Sequence, residues 1–197
     1  MQNKRFQKLP DYLSKDQQRE FLRVANNFHN TKNVFRKNNV LLCIKLQLYA
    51  GLRIQEALDL TPNDVFLGDS SNELKVVQGK GNKDRIVPLA APLSEMLRFI
   101  NSYLKPPKNM PYIPFKTRKA PWVWYKKIGI EAGVEINGTH VLRHTFARNC
   151  LSKGVPINVL QNLLGHADLN TTLVYLQILP SSEELNLAMD KIKEEIE

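Results

Sequence analysis

The sequence predicts a mainly α fold with a small antiparallel β-hairpin or sheet, an α+β arrangement. Apolar residues recur at helical spacing along most of the 197 residues, and the period falls to two only between Glu73 and Leu89. The length supports one substantial core, and 43% hydrophobic with 24% charged residues is ordinary for a soluble globular domain. No stretch reaches the roughly 20 apolar residues of a membrane span. The opening residues, MQNKRFQKLP, contain no apolar run of the kind a signal peptide needs.

Residues 1–12 read as a polar, basic arm. Ser14 then caps a helix, SKDQQREFLRVANNF, with Phe21, Leu22, Ala25 and Phe28 on one face. A basic connector from Lys32 to Lys37 leads into an apolar helix from about Asn38 to Ala50, with Val40, Leu41, Ile44 and Leu48 in the core. Gly51 ends it. GLRIQEAL opens the next helix, with Arg53 in its first turn and Glu56 three residues on, within reach of an intrahelical ion pair. TPNDV makes a tight corner, with Pro62 at a helix start.

Leu74 and Val76 then alternate with Lys75 and Val77, QGKGNKDR turns, and IVPL returns as the second strand. The hairpin tip carries Lys80, Lys83 and Arg85. Taken alone it has two readings: lysines that guard a strand edge, or a glycine-rich tip that lets backbone approach a ligand. Pro92 opens a helix that turns Leu93, Met96, Leu97, Ile100 and Leu104 inward. KPPKNMPYIPFKTRK is a proline-rich, basic surface loop. WVWYKKIGIEAG is a helix whose aromatics pack. At the end, SSEELNLAMDKIKEEIE has a capping box from Ser181 to Glu184 and a stripe of Leu185, Met189, Ile192 and Ile196. That helix folds onto its own core or docks on a neighbouring subunit.

The stretch Thr139–Tyr175 gathers the chemistry. Thr139 is placed to cap a helix with His140 and Arg143 on one face and Leu142, Phe146 and Cys150 as its buried stripe. Gly154 stops that helix, Pro156 fits the first turn of the next, and Val159, Leu160, Leu163 and Leu164 face inward up to Gly165. His166 follows on a fixed corner. Asp168 or Asn170 caps a short helix that delivers Tyr175. His144 lies about a third of a turn from Arg143 and reads as structural. Singly, each such residue is ordinary packing. Together, arginines, histidines and a tyrosine on successive helix ends suit a phosphate.

The formal charge of +9 agrees, since a basic excess of this size favours a polyanionic partner. Cys43 and Cys150 lie in separate apolar helices and read as buried, reduced thiols.

These boxes resemble the catalytic domain of the tyrosine recombinases, the phage-integrase family. GLRIQEALDL is similar to the family's first arginine box, GKGNKDRIVPL to its lysine hairpin, HVLRH to the H-x-L-R-H box, LLGH to the second histidine box, and NTTLVY to the helix bearing the nucleophile. They stand in family order from about Leu9 to Tyr175. The resemblance implies the tyrosine-recombinase catalytic-domain fold over residues 13–179, which leaves 180–197 as the C-terminal amphipathic helix, folded onto its own core or docking in trans. The family's usual N-terminal core-binding domain is expected to be absent from this chain, which starts where the catalytic domain would and reads either as an excised fragment or as a small recombinase of the kind that lacks that domain.

Carried over box by box, Tyr175 would be the nucleophile, Arg53 and Arg143 the phosphate clamp, and Lys80 the catalytic lysine, with Lys83 the second choice for that role. His140 and His166 would complete the site. Lys83, Arg85, Lys116, Arg118 and Lys119 would contact DNA. A tyrosine phenol titrates near about 10, so the surrounding cations would favour its phenolate, with His140 helping to accept its proton. The implied activity is site-specific DNA strand cleavage and rejoining through a 3′-phosphotyrosyl intermediate, with neither metal nor nucleotide cofactor. The implied partners are double-stranded DNA and identical subunits, a tetramer on paired sites and a monomer without DNA. A cytoplasmic, nucleoid-associated location goes with them. A type IB topoisomerase and a non-catalytic DNA-binding module of the same fold are the alternatives.

Overall fold

The computed structural model describes residues 11–28, 34–77 and 84–177. Lys80, Lys83, most of the basic arm and the C-terminal helix lie outside the described residues. Helix α1 (Lys15–Asn27) opens with a complete capping box: Ser14 Oγ accepts from the Gln17 N–H at 3.2 Å, and Gln17 Oε1 accepts from the Ser14 N–H at 2.9 Å. It buries Phe21, Val24 and Ala25.

Helix α2 (Val34–Ala50) is the central rod. Its Leu42, Cys43, Ile44, Leu46 and Ala50 are all at most 1% exposed, so it is apolar nearly all round, as a helix surrounded by others must be. Around it pack α3 (Ile54–Asp59), α4 (Ala91–Phe99), α5 (Lys119–Glu131) and α6 (Val141–Ser152). Helix α7 (Ile157–Leu164) and the short α8 (Asn170–Leu173) lie beyond α6, and a 3₁₀ turn, Val174–Gln177, carries Tyr175. Phe146, Ala147, Leu160, Leu164 and Tyr175 form a smaller apolar cluster of their own.

The sheet has three antiparallel strands in the order β1 (Val65–Leu67), β2 (Asn72–Val76), β3 (Arg85–Pro88). Leu74 faces Val87 across the β2–β3 pair, both buried, which fixes the register. Strand β1 was not expected; three residues are too short to show an alternation. The same parity corrects the reading of Arg85. It shares the inward face with Val87 and is 8% exposed, while Ile86 between them points out. Arg85 is therefore not a hairpin-tip cation presented to DNA.

Other expectations shift by a turn or a face. Helix α2 begins at Val34 rather than Asn38. Leu104 lies in a π-helical turn after α4 and is 62% exposed, and Val159 on α7 is 41% exposed. The loop before α5 is not wholly surface. Tyr112 and Ile113 are buried, and the Tyr112 N–H donates to the Leu60 carbonyl at 3.0 Å. Thr139 does not cap α6. His140 holds the N-cap position, and the Thr139 carbonyl accepts from Gln47 Nε2 at 2.9 Å. Gln47 is fully buried on α2 and also takes the Tyr125 hydroxyl at 2.8 Å, so one amide ties α2, α5 and the entry to α6 together.

The end of α2 depends on Gly51. Its φ is +64°, and a Cβ built there would sit 2.6 Å from Phe146 Cε1. Left-handed backbone and an occupied Cβ site act together. Gly51→Ala is expected to cost roughly 2–4 kcal/mol from the two effects. Thermal melting followed by circular dichroism should then show a midpoint lowered by on the order of 10 °C. An unchanged midpoint would contradict both the backbone strain and the clash with Phe146.

Candidate active site

The site is assembled at the C-terminal end of α7. Gly165 adopts φ +64°, and the chain closes as a Schellman turn: the His166 N–H reaches the Gln161 carbonyl at 3.2 Å and the Gly165 N–H the Asn162 carbonyl at 3.1 Å. The next three carbonyls have no partner within the helix. Each receives a guanidinium from a different element. Arg85 Nε of β3 donates to Leu163 O at 2.8 Å, Arg143 Nη2 of α6 to Leu164 O at 2.6 Å, and Arg53 Nη2 to Gly165 O at 3.3 Å. The negative end of the helix dipole favours all three cations.

Glu56 gathers the same arginines from the other side. It is the third residue of α3, and Arg53 is the N-cap. Glu56 Oε2 accepts from the Arg53 backbone N–H at 2.7 Å, and Oε1 accepts from Arg53 Nη1 at 2.8 Å, which bears out the intrahelical pair. Arg85 grips both oxygens, Nη1 to Oε1 at 3.1 Å and Nη2 to Oε2 at 2.7 Å. Arg143 Nη1 lies 3.6 Å from Oε2 and donates to the Gly51 carbonyl at 2.7 Å. Burial alone would raise the Glu56 carboxyl, but the Arg85 and Arg53 contacts outweigh it and hold the group at about 2.

A pocket of about 550 Å³ opens beside this cluster, lined by Arg53, His140, Arg143, His144, His166 and Tyr175, with Asp168 at its edge. Five residues expected in the site therefore meet in one cavity: Arg53, His140, Arg143, His166 and Tyr175. Neither Asp168 nor Asn170 caps α8: Leu169 holds the N-cap position with no side-chain cap, and Asp168 Oδ1 accepts from the Asn170 N–H at 2.9 Å in the turn before the helix. Lys116, Arg118 and Lys119 are exposed, and the charge of Arg118 reaches His140.

The histidines are held differently. His166 Nε2 lies 3.1 Å from Arg143 Nη2, and its Nδ1 lies 2.8 Å from Thr172 Oγ1. Arginine has no acceptor, so Nε2 accepts and the ring proton sits on Nδ1, donating to the threonine. Burial, then Arg143 and Arg53, pushes His166 down to about 4. His144 was read as structural, and the structure corrects this. Its Nδ1 is 2.7 Å from the Tyr175 hydroxyl, and burial followed by the charges of His140 and Arg143 lowers it to about 4. The signal was present, because His140 and His144 are four apart and share a helix face. No hydrogen bond joins His140 to Tyr175 among the described residues.

Tyr175 also departs from expectation. It is 3% exposed, and burial raises its phenol above the ordinary value despite the opposing pull of Arg143 and Arg53. The resting phenol is protonated. Burial likewise lowers Arg143, to about 10, which leaves it cationic at neutral pH.

These shifts set the acid side of stability. His144 and His166 titrate at about 4 in the fold against about 6.5 unfolded, so unfolding takes up protons below neutrality. Their contribution is complete above about pH 6.5 and is lost as pH falls towards 4. That of Glu56 is complete above about 4.5 and lost towards 2. The melting temperature should fall from pH 6.5 to 4, and His144→Asn should flatten part of that fall. A melting temperature constant over that interval would contradict neutral, buried imidazoles.

Comparison with known proteins agrees with this geometry. The chain is 36% identical to the tyrosine recombinase XerA of Pyrococcus horikoshii, covering 94% of this chain and 62% of the relative. It is 33% identical to XerD of Rickettsia bellii, covering 85% and 60%. It thus spans about three-fifths of the length of these curated relatives. Among solved structures, a XerH site-specific recombinase in a post-cleavage complex with its palindromic difH substrate superposes with a TM-score of 0.74 at 28% identity, over 92% of this chain and 53% of that one. The catalytic domain of bacteriophage HP1 integrase gives 0.65 at 26%, over 91% and 94%. The profile described as the phage integrase family matches residues 11–181. With four of the five expected boxes meeting at one pocket among the described residues and that profile spanning most of its length, the chain belongs to the phage integrase family.

Proposed function

We propose that this chain is the strand-cleaving part of a site-specific DNA recombinase acting through a 3′-phosphotyrosyl intermediate. One observation carries the reading: two arginines and a histidine-bonded tyrosine, far apart in sequence, open on a single pocket. The XerH structure on difH DNA supports duplex DNA as the partner, as does the net charge of +9. Identical subunits pair on two sites as a tetramer, in the cytoplasm at the nucleoid.

The chemistry follows from the charges. Tyr175 Oη attacks the scissile phosphorus, a bond to the tyrosine oxygen forms, and the bond to the 5′-oxygen breaks. Arg53 and Arg143 neutralise the phosphorane as it forms. A guanidinium suits that task, since it stays charged and offers paired donors. The phenol proton passes to His144 Nδ1, which is in contact and neutral at working pH, rather than to His140. On phosphate binding, His166 gives up its Arg143 contact and changes tautomer, so that Thr172 Oγ1 donates to Nδ1 and the Nε2–H donates to a non-bridging oxygen. Lys80, assigned by the resemblance of GKGNK, protonates the leaving 5′-oxygen. The ester energy is retained in the phosphotyrosyl link, so a second 5′-hydroxyl can reverse or exchange it.

Incubation of the chain with a nicked duplex, carrying a site selected from randomised DNA, should give a covalent adduct on a denaturing gel. Tyr175→Phe should abolish the adduct and keep binding. Salt-sensitive binding with no adduct from the unsubstituted chain would instead mark a DNA-binding module. Single-turnover cleavage in His144→Ala should fall by about 10²-fold or more, the usual scale for a lost proton acceptor. The unsubstituted rate should hold from pH 7 to 5 and drop only towards 4, following the lowered imidazole. A half-point near 6.5 would assign the proton to a different group.

A further inference from the structure

We infer that Arg85 is a positioning residue for the phosphate-gripping arginines, acting through Glu56 and the last turn of α7. This rests on the recombinase reading above.

Arg85 engages its Nε, Nη1 and Nη2 donors at once. Its Nη1 and Nη2 take the two oxygens of Glu56 in parallel, and its Nε takes the Leu163 carbonyl. A fork-to-fork pair of this kind fixes the plane of a carboxylate as well as its position. Both oxygens so fixed are also the acceptors for Arg53, one for its side chain and one for its backbone N–H, and Oε2 is the atom nearest Arg143. The third donor holds the carbonyl that precedes those used by Arg143 and Arg53. Arg85 therefore fixes the carboxylate that binds Arg53 and lies 3.6 Å from Arg143, and the carbonyl next to the two that these arginines use, while lining no part of the pocket and keeping its side chain only 7% exposed.

Charge alone does not explain the arrangement. Three guanidinium groups around one carboxylate leave a net positive cluster, and Arg85 adds to the repulsion that Arg53 and Arg143 feel. What it supplies is geometry. With Arg85 shortened, Glu56 keeps its two bonds from Arg53 but loses the fork that fixes the plane of the carboxylate, and the Leu163 carbonyl loses its donor. Arg53 then loses the fixed partner of its Nη1, and the turn that carries His166 loses one of its three ties.

Three measurements on the full chain decide the matter, using Arg85→Met, which removes charge and fork, and Arg85→Lys, which keeps charge only. The first is the NMR signal of the arginine side-chain Nε–H groups in the free protein. Arg53 and Arg143 should shift and lose exchange protection in both variants. The second is the single-turnover rate of adduct formation on the nicked duplex. It should fall by about 10²-fold in both, the cost expected for misplacing a reacting group by an ångström or so. The third is affinity for the same duplex and its salt slope, which should stay within about threefold and unchanged, because no phosphate contact is lost.

Restoration of the rate by Arg85→Lys would overturn the proposal, since a point charge would then suffice. So would an affinity loss matching the rate loss with a shallower salt slope, which identifies a DNA contact. Unmoved Arg53 and Arg143 signals would overturn it even if the unsubstituted chain forms no adduct, a result that would sink the recombinase reading separately. Should Arg85→Met fail to fold, Arg85→Lys, with its charge retained, decides by the same three readouts.

Discussion

A single carboxylate, Glu56, meets arginines from three elements, and the three carbonyls left over at the end of α7 meet the same arginines from the opposite side. Guanidinium groups brought this close repel one another, so the pocket exists only because acceptors stand on both flanks. Two of the arginines are nearly inaccessible to water, Arg85 at 8% and Arg143 at 3%. Taking such charges out of water is costly, and an ion pair of this kind is weak evidence for stability. Its value here is placement. Side chains drawn from β3, α6 and the start of α3 are set to the spacing of one helix turn, and His166 is the residue immediately after that turn.

The tyrosine lies on the far side of the same pocket under different physics. Tyr175 is packed in the small cluster with Phe146, Leu160 and Leu164, and its ring lies parallel to that of His166 at 6.5 Å. Burial keeps its proton on, and His144 holds the hydroxyl. The arginines therefore stand ready for an anion before one arrives, while the tyrosine proposed as nucleophile rests as its neutral phenol. An arriving phosphate brings the negative charge that the cluster lacks, and it competes for the Arg143 donor now given to His166.

Much of this was legible in the sequence because it is local. Arg53 and Glu56 lie three residues apart on one helix, and their pairing follows from helical geometry. Gly165 followed by His166 announces a left-handed helix end with a ring fixed beyond it. What was missed depends on parity or on distance. Arg85 looks like a tip lysine's neighbour until the strand register turns it inward with Val87. His144 looks structural beside Arg143, and only the return of the chain through α8 brings Tyr175 onto it. Thr139 has the right side chain for a cap, but a glutamine 92 positions earlier claims its carbonyl and moves the helix start. The cationic pull on Tyr175 was read correctly in sign, but burial, which the linear sequence does not reveal, outweighs it.

The account stands on Glu56 being ionised and shared by its arginines in the free protein. A titration of the Glu56 carboxyl carbon by NMR measures this directly. The account predicts a midpoint at about 2, well below an ordinary glutamate. A midpoint at the ordinary value, near about 4.3, would mean that the carboxylate does not gather the arginines, and the pocket would need another explanation.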